Sequence, residues 1–224
     1  MQVLLDNLAN RIQSKSLHPN IVEDTYLLLR EIRRNPDKLS LVCHPLGFLL
    51  IKLGNLDSSS SLRLHTWLPN RRTTQNPEWL IHNHTFTLDS HILIGQVTNN
   101  VFHIDFCSHH PTGCLYSVEY SGEKSILRRT SHVLACTQLS RITYTQGSHY
   151  KVEKGSFHST QVPFDGLAMS IVLSSEQEST SPYVIGELGA EENYVYHRVI
   201  AAPETVDAIF SILDSCLLAS INTF

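Results

Sequence analysis

The pattern of apolar and polar positions divides the chain into three textures. Near the start, Val3, Leu4, Leu8 and Ile12 recur at helical spacing, and Ile21, Leu28, Leu29 and Ile32 do the same between Asn20 and Arg34. This spacing predicts two helices within a helical segment 1–36, the second entered after Pro19 with Asn20 as its N-cap. At the other end, Val206, Ile209, Phe210, Leu213, Leu217 and Ile221 form one apolar stripe behind Pro203, which predicts a closing helix over 203–221. Between them lie short runs rich in Val, Ile, Leu, Thr and Tyr, broken by Asn, Ser, Gly and Pro. Strands are expected at 47–53, 62–68, 79–86, 90–97, 101–105, 114–120, 132–136, 141–145, 148–153, 156–162, 167–174 and 194–200. So many short strands in sequence predict a closed or sandwiched antiparallel sheet, because both arrangements remove exposed edges. The segments 56–61 (LDSSSS) and 70–78 (NRRTTQNPE) lack an apolar period and are expected as loops. The expectation is a mainly β chain, a barrel flanked by helices, forming one domain over 1–224.

The chemistry concentrates in Trp79 to Gly95. Side chains two apart on a strand share a face, so His82 and His84 aim two imidazoles at one point while Ile81 and Asn83 turn away. Imidazole nitrogen ligates iron, zinc, nickel and copper, and two on one strand form a chelating pair. A third ligand is expected from a strand distant in sequence. His158 is the candidate, because Gly155 permits a tight turn just before it and the apolar run Leu167 to Leu173 follows. Thirteen histidines in the chain agree with metal chemistry.

Upstream, Arg63, His65 and Trp67 alternate with Leu62 and Leu64. Their shared face either lines a cavity or is the solvated exterior. In the first case Arg63 and Trp67 bind substrate, Arg63 clamping a carboxylate, and His65 donates a hydrogen bond or accepts a proton. Lys52 is a less favoured carboxylate partner. Tyr150 either orients a bound oxygen species or simply packs. His109 and His110, before Pro111, are expected to be exposed.

Composition narrows the partners. A net charge of −4, from 17 basic and 21 acidic residues, gives no drive toward nucleic acid or an anionic membrane. No apolar run approaches the roughly 18 residues of a membrane span, and the opening MQVLLDNLANRIQ places its basic residue after its apolar ones. The protein is therefore expected to be soluble, unexported and cytoplasmic, with a small-molecule substrate. The five cysteines are odd in number and lack a C-x-x-C pair, which fits a reducing compartment. Cys43 and Cys136, in apolar surroundings, are expected as buried structural thiols. The oligomeric state is open.

The H-x-H of His82 and His84, Gly95 eleven residues on, and G-x-x-H at Gly155 to His158 some sixty residues later resemble the two motifs of the cupin superfamily, over roughly residues 47–175. Within it, IHNHT resembles the metal-binding strand of cysteine dioxygenase and related thiol dioxygenases. The resemblance implies a cupin-type β-barrel (double-stranded β-helix) with His82, His84 and His158 on Fe(II), or on Ni(II) as in relatives that rearrange oxidised sulfur. Many cupins add a glutamate four or five residues after the second histidine. Here those places hold Leu88 and Asp89, and on a regular strand Asp89 would face away from His84, so that it is a ligand only through a bend. Three neutral ligands leave open positions and preserve the positive charge of the ion, which suits an anionic thiolate beside dioxygen. The implied function is a metal-dependent dioxygenase acting on a small thiol amino acid such as cysteine, with simple sulfur oxygenation or oxidative rearrangement in biosynthesis. The alternatives are an oxygenase, isomerase or lyase on a non-thiol metabolite, or a non-catalytic cupin that binds a small ligand.

Overall fold

The computed structural model describes residues 1–14, 20–35, 41–107 and 109–221. Residues 15–19, Pro19 among them, and residue 36 of the expected helical segment lie outside them. Helices α1 (Gln2–Gln13) and α2 (Asn20–Arg33) open the chain and α3 (Pro203–Ile221) closes it. Each turns its apolar stripe inward: Leu5, Leu8 and Ile12 from α1, Ile21, Leu28, Leu29 and Ile32 from α2, and Phe210, Leu213 and Leu217 from α3. The one polar side chain that α2 buries, Thr25, donates to the Ile21 carbonyl at 2.7 Å, so its hydroxyl is satisfied within the helix.

Thirteen strands lie between: β1 (Leu41–Cys43), β2 (Leu49–Asn55), β3 (Ser61–Trp67), β4 (Thr87–Ile94), β5 (Gln96–Asp105), β6 (Gly113–Ser121), β7 (Lys124–Thr145), β8 (His149–Val152), β9 (Phe157–Gln161), β10 (Ala168–Ser175), β11 (Tyr183–Glu187), β12 (Asn193–His197) and β13 (Val199–Ile200). They form two antiparallel sheets in a sandwich. One runs β13-β1-β2-β3-β10-β4-β8, and the other β11-β6-β7-β5-β9, with β12 on the flank of β7. The mainly β class, with two N-terminal helices and one C-terminal helix, is as the sequence predicts. The helices cover the outer face of the first sheet, where Ile51, Leu62, Leu64, Ile171 and Leu173 meet them. In β10 seven of eight residues are buried, because helices cover one face and the sandwich interior the other.

Several boundaries differ from expectation for identifiable reasons. The runs 132–136 and 141–145 are parts of one 22-residue strand, β7. The polar residues between them look like a break, yet the pairing continues through a bulge opposite Val101 and Phe102 that takes up Leu139, which is 66% exposed. The run 194–200 divides at Arg198, whose amide donates to the Glu123 carbonyl at 2.7 Å instead of joining a ladder. β1 and β11 were not among the expected strands. The turn from β4 into β5 falls on Gly95 at φ +72, where a Cβ would stand 2.0 Å from the Leu167 carbonyl oxygen, so only glycine fits.

The segment 79–86 is not a strand. It runs extended with its hydrogen bonds divided between two partners. His82 exchanges both backbone bonds with His158, at 3.0 and 2.9 Å, while the Asn83 amide donates to Tyr183 and the Ile185 amide to Ile81, at 3.0 and 2.9 Å. Its neighbours, β9 and β11, are the two edges of the second sheet, so this short span closes the pairing circuit of that sheet.

Candidate metal centre

The three imidazoles converge. Nitrogens of His82, His84 and His158 all lie within 4.8 Å of one another, the one such cluster of three or more His, Cys, Asp or Glu groups among the described residues. The ring centroids are 4.8 Å apart for His82 and His84, 4.6 Å for His82 and His158, and 5.1 Å for His84 and His158. The reciprocal backbone bridge between His82 and His158 sets this approach, and His84, two residues on, falls on the same side.

Outer contacts fix the rings. His82 Nδ1 stands 2.8 Å from the Leu80 carbonyl, which only accepts, so this nitrogen carries the proton and Nε2 keeps its lone pair. His158 Nδ1 stands 2.8 Å from Asn99 Oδ1, which leaves its Nε2 buried with no hydrogen-bond partner. A buried acceptor without a donor is costly in protein alone and is what a cation would satisfy. His84 stacks on Phe86 at 4.7 Å.

All three rings are held neutral. Burial pushes His158 well below the usual histidine range, with His82 adding to it. Burial does the same to His84, helped by His82, His158, Arg63 and His44. His82 is lowered by burial, and its bond to the Leu80 carbonyl offsets part of this. Neutral imidazoles, two of them with Nδ1 engaged and Nε2 free, are the form that binds a divalent transition metal, so the residues present fit such an ion.

The cluster opens on a cavity of about 440 Å³ between the sheets. Of the two expectations for Arg63, His65 and Trp67, the cavity holds: all three line it, while Leu62 and Leu64 face the helices. Arg63 lies over the Phe86 ring at 4.7 Å and donates through Nε to Ser61 Oγ at 3.2 Å. His65 is pushed down to about 3, first by burial and then by Arg63, and its Nε2 is buried without a partner. Trp67 is a wall, and Tyr150 lines the cavity while stacked on Tyr144 at 4.8 Å.

Other candidates fall elsewhere. Asp89 lies outside the cluster, its Oδ1 3.3 Å from His149 Nε2, because its β4 neighbour Leu88 faces the cavity and alternation turns Asp89 to the opposite side. Lys52 is exposed and away from the cavity, and His109 and His110 are exposed. Cys43 and Cys136 are half-buried, not buried; Cys114 is the fully buried thiol. Cys43 sits in a strand near the sheet edge, so its cover is incomplete.

Four residues near the cavity were not singled out in the sequence. His44 stacks on Phe48 at 4.2 Å and accepts from the Leu46 amide at Nδ1, at 3.2 Å, so its Nε2 carries the proton. Burial holds it neutral, with His65, His82, Arg198 and Arg63 contributing. Tyr120 lines the cavity from β6 and Arg198 from the β12–β13 junction. Asn99 supports His158 from β5, where it and Asn100 are both buried; in the mixed run QVTNNVFHID nothing sets the pair apart from the other polar residues.

No protein-family profile matches the chain, and no curated protein does. Among solved structures, one matched is a Streptomyces PAC13 variant solved with uridine, at 7% identity and a TM-score of 0.34, covering 71% of this chain and 86% of that one.

Proposed function

We propose that the chain is a cupin-like, metal-dependent oxygenase acting on a small thiol amino acid such as cysteine. Fe(II), or alternatively Ni(II), sits on His82, His84 and His158, with dioxygen as co-substrate. The observation that carries this reading is the convergence of three neutral imidazoles, two with Nδ1 already bonded elsewhere, upon a cavity that holds an arginine. Bound there, iron supplies the redox chemistry that activates dioxygen toward sulfur. The net reaction balances as thiol plus dioxygen to sulfinic acid, with both oxygen atoms ending on sulfur.

The chain's own residues do the rest. Arg63 holds the substrate carboxylate with the fork of its guanidinium. Trp67 packs against the carbon skeleton and excludes water. His65, neutral across the physiological range, is a weak proton acceptor and serves the substrate as a hydrogen-bond partner, and the Tyr150 hydroxyl would orient dioxygen.

Elemental analysis of the purified protein, with an oxygen-electrode trace on adding cysteine, tests the reading. Cysteine-dependent oxygen uptake that disappears on chelation and returns with Fe(II) supports it. Metal-replete protein that consumes no oxygen with cysteine overturns it. One observation favours a second reading, turnover of a non-thiol acid by the same site: the cavity falls within the range of about 300–1,000 Å³ found for drug-sized ligands, more than cysteine fills.

A further inference from the structure

Arg63 and Arg198 are the only charged residues among those lining the cavity, and no carboxylate faces either of them there. Among the described residues, neither makes an ion pair. The two are built alike. Arg63 donates through Nε to Ser61 Oγ at 3.2 Å and lies over Phe86 at 4.7 Å; Arg198 donates through Nε to Ser125 Oγ at 3.2 Å and lies over Tyr120 at 4.4 Å. Both serines are buried at 6% exposure, so each anchor is fixed by the fold. In each arginine the inner nitrogen and one flat face are used by protein, while the terminal nitrogens have no protein partner among the described residues. Arg72 shows the contrast: its terminal nitrogens are consumed by the carbonyls of Val162, Pro163 and Gly166 at 2.6–2.7 Å.

A guanidinium held this way presents a planar fork that matches a carboxylate or phosphate. Leaving a partly buried cation unpaired is costly, and burial lowers the Arg63 pKa accordingly. Both positive charges act on the Tyr120 hydroxyl and on the His44 ring, so they bear on one end of the cavity.

We infer that the cavity takes a substrate with two anionic groups, one on Arg63 and a second on Arg198, so that a dianionic acid fits better than a simple amino acid. This deepens the proposed function and rests on it in one respect: the same cavity is the substrate site.

The test uses ligands without sulfur, so its failure is separate from failure of the thiol reading, which cysteine-dependent oxygen uptake decides. Butyrate and the dicarboxylates succinate, glutarate and adipate are titrated calorimetrically into the protein as purified and again after chelation, where no ion can hold a carboxylate. At least one dicarboxylate is expected to bind about tenfold or more tighter than butyrate in both forms. In Arg198→Gln that preference falls to within about twofold, because dicarboxylate affinity drops much more than butyrate affinity, and Arg63→Gln weakens both classes. Metal content and far-UV circular dichroism of Arg198→Gln report its folding, and the selectivity of the unaltered protein needs no variant. Equal affinity for butyrate and every dicarboxylate, no binding by any dicarboxylate, or a preference that survives in folded Arg198→Gln overturns the inference.

Discussion

The two faces of β3 divide the labour of the molecule. On one, Leu62 and Leu64 have no exposed surface and meet the three helices. On the other, Arg63, His65 and Trp67 look into a cavity with two imidazole nitrogens lacking protein partners, His65 Nε2 and His158 Nε2. Burial on the first face is apolar and complete, which favours stability. Burial on the second leaves polar groups unsatisfied, a cost that persists where function requires it. On β3 the apolar face thus serves cohesion alone, while the other combines chemistry with the apolar packing of Trp67 beside Leu88, Ile92 and Val172.

That division can be broken by substitution. The largest effect is expected from His158→Ala: metal in the purified protein falls to background by elemental analysis, and a normal metal content would end the assignment. On the opposite face, Leu64→Ala is expected to cost about 2–5 kcal/mol in urea unfolding, because a buried leucine leaves a cavity. The surviving folded protein should bind metal at unaltered stoichiometry, and lost metal with unaltered stability would show that the faces are not separate. Asn99→Leu is expected to weaken metal about 10–100-fold in chelator competition, since the His158 ring loses its orienting acceptor; unchanged affinity would show that Asn99 does not set the ring. The smallest effect is on pH. Burial depresses His65 to about 3 and His91 to about 4 from an unfolded value of 6.5. The unfolded chain therefore binds more protons at acid pH, so stability of the metal-free protein is fully present above pH 6.5 and declines as pH falls through 6.5 toward 4. A melting temperature flat from pH 7 to 5 would contradict this.

Much of this arrangement is legible in the order of residues, where the signal is local. Leu8 and Ile12, or Phe210 and Leu213, announce helices because a stripe at helical period has no other efficient burial. The convergence of His82 with His84 follows from spacing, and His158 from the turn at Gly155, φ +81. What escaped depends on partners distant in the chain. The span 79–86 has the composition of a strand, yet its hydrogen bonds go to two different sheet edges. Leu139 reads as a break until β7 is seen to bulge there opposite consecutive residues of β5. His44 and Arg198 carry no motif, and only the meeting of β1, β3 and β6 around one cavity gives them a role.

The span Ile81 to His84 has one more consequence. Its amides and carbonyls stitch one rim of the second sheet to the other, and the same few residues present the imidazoles. An ion gripped there would act as a clasp over its own hem. The first backbone amides to gain protection from deuterium when metal is added should accordingly be those of His82, Asn83, His158 and Ile185, ahead of any in the helices.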